Sequence, residues 1–428
     1  MLESTAISNS FFEKLVWLFF ALVLLVAPWV FTSNLSMTMM SQMGIAIIAC
    51  LSYNVLLGQG GMLSFGHAVY SGMGSYFTIH ALNAVGAGSL HMPVTLLPLI
   101  GGLAGMGFAV LLGFVTTRKS GTTFSMITLG MAELVFAMSL MFSEFFGGEA
   151  GVSANRVAGQ AFLGITYGPQ RQVYYLIAVY TFISVGLLYA LTQTPLGRIL
   201  NAVRDNPERV EFVGYNTQMV RYRAFIIAGF FAGIAGGLGA LNFEIVTAEV
   251  VGPARSGAYL LFTFLGGATF FFGPVLGGVL MVLAFVLLSE ITKAWLLYLG
   301  LIFLFMVVYA PGGFAALIMT NLRVIQAGAF KRLNTAYAGL LVSGCVMFAG
   351  AGSLIEMIYH LQLTSSIDTQ LAFAGMVLDT GNKITWSLGV AITVAGLLWF
   401  DWQRKYFISK WESVQSDIAQ ASQSGGVT

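Results

Sequence analysis

The feature that most constrains this chain is a run of 103 residues without charge: no Lys, Arg, Asp or Glu lies between Lys14 and Arg118. A helix crosses the hydrocarbon core of a bilayer with about 20 apolar residues, so this run is long enough for several crossings. Over all 428 residues, 57% are hydrophobic and 8% are charged, whereas about a quarter of a soluble domain is charged. These values exclude a soluble enzyme, a disordered chain and a nucleic-acid binder with a basic face.

The apolar segments predict an all-α, polytopic transmembrane protein with about 10–12 spans and no soluble domain. The alternating segments of about ten residues that are typical of a transmembrane barrel are absent. Twelve candidate crossings can be counted, at about 13–32, 36–57, 61–83, 93–115, 122–146, 172–192, 222–246, 257–271, 274–290, 294–310, 334–358 and 385–401.

The positive charges orient these spans. With the N-terminus in the cytoplasm, the inside loops hold 14 Lys and Arg residues and the outside loops hold five, which are Arg156, Arg171, Arg255, Lys293 and Lys383. Cytoplasmic loops carry such an excess of Lys and Arg. We therefore predict that both termini are cytoplasmic.

The span count depends on the uncharged run of 34 residues from Ser256 to Ser289. Gly266-Gly267 and Gly273-Pro274 interrupt this run, and such pairs favour a broken helix or a tight helical hairpin. Two crossings here keep the later basic loop inside, so the charge rule favours two.

Glycines recur at a spacing of four residues within the apolar segments. Gly229, Gly233 and Gly237 form one stripe, and Gly101 with Gly105 repeats the spacing. Small residues at this spacing let helices approach closely in a membrane. The stripes indicate either internal helix packing, which we favour, or a dimerisation face.

The most polar inside segment is 194–223, with five arginines and three acids. Its pattern predicts a short amphipathic helix, a break at Asn206-Pro207 and a second short helix that ends at Gly214. Such a segment either lies on anionic lipid headgroups or docks a soluble partner. Mixed charge favours docking, because a helix on anionic lipid is more uniformly basic.

This segment resembles the signature loop of permease subunits of branched-chain-amino-acid-type ABC importers. The matching residues are Gly197, Arg198, Leu200, Ala202, Arg204, Asp205, Asn206, Glu208, Gly214 and Tyr222. The resemblance implies that Gly197, Arg198, Arg204, Asp205, Asn206, Glu208 and Gly214 couple the permease to an ATPase. The alanines that usually follow the Glu are replaced here by Arg209 and Val210, so only the spacing remains.

Further motifs extend the resemblance over about 35–315. They are the glycine-rich segment 58–68, the segment 128–133 with Gly147-Gly148 and Gly151-Val152, Gly266-Gly267 with 273–277, and Pro311-Gly312-Gly313. The implied partners are a second, homologous but different permease, two ABC ATPases and a periplasmic solute-binding protein, at the bacterial inner membrane. The implied substrate is a branched-chain amino acid or a similar small amide, urea or carboxylate. We expect contacts with membrane lipid and no nucleic-acid partner.

The resemblance ends near Phe314, and the chain then continues. We expect residues 1–315 to form the permease domain and residues 316–402 to add two transmembrane helices, either for packing or for contact with a subunit or lipid. Ser, Gln and Gly predict that the cytoplasmic tail, 403–428, is disordered.

Four polar residues within the spans are candidates for lining the pathway: Ser64, His67, Glu133 and Asn242. His67 either bonds another helix or lines the pathway with Ser64. Glu133 must be paired, protonated or in contact with water, because an isolated carboxylate in lipid is costly.

No G-x-x-x-x-G-K-[ST] motif, metal-ligand cluster or nucleophile–base arrangement is present. We predict that the chain is not an enzyme and binds no cofactor or metal, so ATP and Mg²⁺ belong to partner subunits. The main alternative is an ion- or proton-coupled secondary transporter that uses Glu133, and a third is a channel or a structural subunit.

Overall fold

The computed structural model describes residues 2–158, 165–326, 328, 330–363, 370–373 and 376–424. Seventeen helices lie in the described residues: α1 (Leu2–Val30), α2 (Asn34–Asn54), α3 (His67–Gly86), α4 (Leu97–Thr116), α5 (Gly121–Met141), α6 (Ser143–Phe146), α7 (Gln170–Gln193), α8 (Pro195–Asp205), α9 (Pro207–Phe212), α10 (Thr217–Phe243), α11 (Pro253–Gly266), α12 (Gly273–Leu283), α13 (Ser289–Ile291), α14 (Trp295–Tyr309), α15 (Gly313–Gln326), α16 (Phe330–Leu363) and α17 (Lys383–Ser424). Wider π-turns extend α2 through Val55–Gln59 and join α12 to α13 through Ala284–Leu288.

The few strands form two antiparallel ribbons, β1 (Val152–Ser153) with β2 (Ile245–Val246), and β3 (Gln370–Phe373) with β4 (Met376–Asp379). The all-α prediction is confirmed. Eight of the described helices are long and apolar enough to cross a membrane, or nine if α14 and α15, which bend by 51°, form one span. The other predicted crossings correspond to α1, α3 and α11, which do not meet this length and composition test.

Contacts divide the chain into two compact units, Met1–Val286 with Phe305–Ala315, and Leu287–Leu304 with Ala316–Thr428. The second unit thus includes residues 287–304, which the sequence motifs place in the permease domain. Hydrogen bonds to α16 explain this assignment. Thr292 donates a hydrogen bond to Glu356 Oε1, and the Tyr298 hydroxyl donates to the same oxygen at 3.3 Å.

The first unit is organised around α10, whose glycines touch α3 and α4. A Cβ atom at Gly233 would lie 2.2 Å from the Gly101 carbonyl oxygen, and one at Gly105 would lie 2.4 Å from the Gly229 carbonyl oxygen. Backbones come this close only where side chains are absent. The glycine stripes therefore serve internal helix packing.

Helices α11 and α12 form a tight antiparallel hairpin, as predicted for the glycine-interrupted run. A Cβ atom at Gly266 would lie 2.1 Å from the Gly273 carbonyl oxygen, and one at Gly277 would lie 2.1 Å from the Phe262 carbonyl oxygen. Gly267, with φ +113°, begins the reversal. However, α11 has 14 residues, about 21 Å of helix, which is less than the roughly 30 Å of a hydrocarbon core. The prediction that 257–271 crosses alone therefore fails on length.

In the second unit, α16 and α17 lie antiparallel, with Gly350 against Thr393 and Gly396 against Met347. The prediction of a disordered tail is wrong for residues 403–424, because α17 continues to Ser424. Val414, 3% exposed, is buried against Val324 and Leu333, together with Tyr337 and Trp411. This apolar face outweighs the polar composition. Residues 425–428 of the predicted tail lie outside the described residues.

Candidate functional site

The segment that joins α7 to α10 is fixed by a cap at each turn. Thr194 Oγ1 accepts a hydrogen bond from the Gly197 amide at 3.3 Å and begins α8. Asn206 Oδ1 accepts from the Arg209 amide at 3.0 Å and begins α9. Gly214, with φ +95°, turns the chain toward α10. The predicted break at Asn206-Pro207 and the predicted end at Gly214 are confirmed. We call α8 and α9 with their caps, residues 194–216, the coupling segment.

The coupling segment has a buried apolar face and an exposed polar face. Gly197, Leu200, Val203 and Val210 are buried. The exposed surface of the segment carries both signs of charge, in Arg198, Asp205, Glu208, Arg209 and Glu211. The caps and the buried face fix this charge pattern on a defined surface.

Phe212, at the end of α9, is 90% exposed, and its neighbour Val213 is 75% exposed. Large apolar side chains surrounded by charge are typical anchors of protein interfaces. Sequence reasoning assigned Phe212 no role, because its position in an amphipathic pattern also suits a buried residue.

Arg204 connects the coupling segment to the glycine-rich segment, which we define as residues 58–68. Its guanidinium donates a hydrogen bond to the Gly58 carbonyl oxygen at 2.5 Å and pairs with Asp205 Oδ1 at 2.9 Å. Gly61 has φ +63°, and a Cβ atom there would lie 2.8 Å from Arg204 Cγ. Glycine at position 61 thus provides the space that the arginine stem fills.

The glycine-rich segment is held in turn by side chains of three helices. The Tyr53 hydroxyl of α2 donates to the Ser64 carbonyl oxygen at 2.9 Å. Two residues of α5 bond the same segment. Ser125 donates to the Leu63 carbonyl oxygen at 2.8 Å, and Thr128 Oγ1 accepts from the Phe65 amide at 3.1 Å. From α11, Ser256 Oγ accepts from the Ala68 amide at 2.9 Å. A displacement of Arg204 would therefore act on α2, α5 and α11 together.

The structure places Ser64 and His67 next to each other in the interior, each 0% exposed. His67 Nε2 lies 2.9 Å from Ser52 Oγ on α2, and the Tyr53 and Tyr259 rings lie edge-on to the imidazole. This contact is the hydrogen bond between helices that the sequence predicts as one of two roles for His67, the other being pathway lining.

Glu133 and Asn242 lie apart from that pair. Glu133 is exposed on α5, and no hydrogen bond or ion pair to it occurs among the described residues. Asn242 is buried, and its Oδ1 accepts from Gln170 Nε2 at 2.9 Å. The four predicted pathway residues are thus not one constellation, whereas the seven predicted coupling residues lie in one continuous segment.

Asn242 belongs to a cluster around Arg156 that sequence reasoning missed. The Arg156 guanidinium donates to the carbonyl oxygens of Tyr167 (2.8 Å), Asn242 (3.2 Å) and Leu241 (3.3 Å), and Glu244 Oε2 lies 3.9 Å from it. These bonds join the loop before α7 to the end of α10. The arginine is 11% exposed and fully satisfied, which indicates a structural role.

No group of three or more His, Cys, Asp or Glu in the described part of the chain is placed to hold a metal ion. Apolar spans joined by a capped, charged connector define a class, the multi-pass membrane proteins that present a rigid polar surface beside the bilayer. Sequence comparison gives the family. The model of the branched-chain amino acid transport system permease component matches residues 35–349, and the chain belongs to this family.

The curated relatives agree with that family. The LivM high-affinity branched-chain amino acid permease proteins of Salmonella typhimurium and Escherichia coli K12 are each 29% identical. They align over 74% and 76% of this chain, and over 79% and 80% of their own lengths. The fructose import permease FrcC of Rhizobium meliloti is 27% identical over 36% of this chain and 48% of its own length. No solved structure matches the chain. The family match continues past Phe314, where the sequence motifs end, into α16.

Proposed function

We propose that this permease is one half of the translocation pathway of an ATP-driven importer. A periplasmic binding protein delivers the solute, a second, different but homologous permease forms the other half, and two ABC ATPases drive the cycle. The chain lies in the bacterial inner membrane with both termini in the cytoplasm. It binds no cofactor, and ATP and Mg²⁺ are held by the ATPases.

The observation that carries this proposal is the bond from Arg204 to Gly58. A solvated connector has no need of an arginine fixed to the backbone at the end of α2, whereas a coupling element does. Movement of an ATPase against α9 would shift α8 as a rigid unit, because Asn206 caps the junction. The shift would reach α2, α5 and α11 through the glycine-rich segment and favour one conformation of the pathway over the other.

The proposed solute is a branched-chain amino acid or a similar small amide, urea or carboxylate. The names of the two LivM relatives support the branched-chain amino acid first. Selection of the solute rests mainly with the binding protein, and the permease pair supplies a passage of lower selectivity.

The test is reconstitution of the full complex in proteoliposomes. We expect leucine uptake only when ATP is available to the ATPases and binding protein is present on the opposite side. Glu208→Arg should abolish ATP-stimulated uptake, and Lys119→Glu, which changes an exposed charge in another inside loop, should not. Equal uptake by Glu208→Arg and the parent would refute the coupling role.

One observation favours a second candidate, a gradient-driven secondary transporter. Glu133 is an exposed carboxylate within a 21-residue apolar helix, and such residues mark proton or ion pathways. This candidate requires uptake by the purified chain alone, driven by a gradient and lost in Glu133→Gln. ATP-dependent uptake that Glu133→Gln leaves intact would exclude it.

A further inference from the structure

Arg255 is a half-buried cation with an unusual lack of partners. It lies in the first turn of α11, and its guanidinium carbon is 5.9 Å from the centre of the Tyr259 ring. No described carboxylate lies within 4 Å of it, and none of its hydrogen bonds to the described residues involves the guanidinium. Arg156, also predicted to lie near the outer surface, is satisfied by carbonyl oxygens and Glu244. A partly desolvated guanidinium without such partners is poised for an anion.

Two small adjoining cavities meet at Arg255. Their volumes are about 40 and 80 Å³, and Ile45, Phe243, Arg255 and Tyr259 line both. Each exceeds the roughly 10–15 Å³ that one water needs. Gln42 adds an amide, and Met281, Val282 and Phe285 add an apolar wall to the larger cavity. Phe243 is 47% exposed, so it forms a rim.

We propose that Arg255 binds the carboxylate of the amino-acid solute, with the aliphatic side chain against the apolar wall. This proposal rests on the proposed import function, and it identifies Arg255 as the residue through which the permease itself contacts the solute. The cavity combines one cation with apolar surface, and no acid is found among its described lining residues. The partial positive charge at the start of α11 adds to the attraction.

The position of Arg255 joins this contact to the glycine-rich segment. Ser256, the next residue, accepts the hydrogen bond from the Ala68 amide, and Tyr259 lies beside His67. A solute at Arg255 and an ATPase at α9 would therefore act on opposite ends of residues 58–68.

The first test measures the electrostatic field in the cavity. Cys345 is exposed and Cys50 is buried, so Cys345→Ser removes the exposed thiol of this chain. Phe243→Cys then introduces one reactive thiol at the rim of the cavity. The assembled transporter in phosphatidylcholine nanodiscs is labelled with anionic and cationic methanethiosulfonates. We expect Arg255→Gln to lower the anionic-to-cationic rate ratio about tenfold, as loss of a nearby charge does in a partly aqueous site.

A control variant and two control ligands show whether the effect on labelling is specific to Arg255 and to a carboxylate. Arg171→Gln removes an arginine that stacks on Trp29 at 4.2 Å and lines neither cavity, so it should leave the ratio unchanged. Leucine should slow labelling in the parent but not in Arg255→Gln, and leucinamide should not slow it. An unchanged ratio in Arg255→Gln, or equal protection by leucine, leucinamide and inorganic phosphate, would overturn the proposal.

The second test separates this inference from the proposed function. Leucine uptake by the parent complex is measured first, and its failure would refute the import of branched-chain amino acids whatever the labelling shows. Where the parent imports leucine, Arg255→Gln should lower uptake about tenfold at limiting loaded binding protein, and Arg255→Lys should restore part of it. Uptake by Arg255→Gln equal to that of Arg171→Gln would refute the role of Arg255.

Discussion

The coupling segment and the glycine-rich segment touch through Arg204 and Leu200, yet they are built in opposite ways. The coupling segment carries both signs of charge on an exposed face and holds its shape with side-chain caps. The glycine-rich segment has no charged residue, is largely buried, and is held by hydroxyl groups of α2, α5 and α11. The contrast predicts two different effects of substitution, one on communication with the ATPase and one on the stability of the fold. Substitution on the coupling segment should impair communication in a folded protein, whereas substitution in the glycine-rich segment should destabilise the fold itself.

Arg204→Glu tests the point where the two segments meet, and among the four substitutions that compare the segments we expect the largest effect there. The change replaces a donor to the Gly58 carbonyl oxygen with a carboxylate that repels it and Asp205. ATP-dependent uptake should fall about 5- to 150-fold, the usual range of coupling between sites. The thermal unfolding midpoint of the purified chain should stay close to that of the parent. A large loss of stability with normal uptake per folded complex would contradict the assignment.

Phe212→Ala sharpens the comparison from the exposed side. Truncation of an interface anchor weakens binding by about 2 kcal/mol, or roughly 30-fold. We expect that loss in titrations of ATPase subunits against the permease pair in nanodiscs. Because Phe212 is 90% exposed in the chain, the stability of the isolated permease should not change. Phe348→Ala, which truncates an exposed phenylalanine 55% accessible on α16, is the control and should leave ATPase binding intact.

Gly58→Ala tests the buried side of the comparison. A Cβ atom at this position would lie 2.2 Å from the Ala268 carbonyl oxygen, a backbone atom that cannot rotate away. Overpacking of this kind costs about 1–3 kcal/mol, so the thermal unfolding midpoint should fall. Gly130→Ala is the matched control, because nothing lies within 4 Å of its Cβ position. Equal midpoints for the two variants would show that the glycine-rich segment tolerates added volume.

Glu133→Gln should have the smallest effect. The carboxylate is exposed and takes no part in the contacts between the two segments, so we expect ATP-dependent uptake and its pH profile to match the parent. The measurement is initial uptake rate across pH 5–8. A loss of uptake with intact ATPase activity would indicate that a proton or ion gradient, and not ATP, drives uptake.

Local chemistry was predictable from the sequence, and long-range contacts were not. The break at Asn206 and the helix end at Gly214 were predicted correctly, because both depend on neighbouring residues alone. The bond from Arg204 to Gly58 joins residues 146 positions apart, and no local pattern encodes it. Asn242 is predicted to line the pathway, and the sequence does not show that Gln170 and Arg156 fold against it.

The tail shows the same limit. Composition predicts disorder for 403–428, but two apolar residues, Trp411 and Val414, are enough to hold a helix against Val324 and Leu333. Burial depends on partners that lie about 80 to 90 residues away in the chain. Composition alone does not predict where α17 ends, because packing against Val324 and Leu333 extends the helix.

Cross-linking at position 208 asks whether α9 binds an ATPase subunit. In the Cys345→Ser background, Glu208→Cys places a single exposed thiol on α9, and a short bifunctional maleimide is added to the assembled complex in inside-out membrane vesicles. We expect a covalent adduct between the permease and a P-loop ATPase subunit, and weaker cross-linking when Phe212→Ala is added. Labelling of this thiol by an impermeant reagent from outside intact cells, with no ATPase adduct in the vesicles, would contradict it.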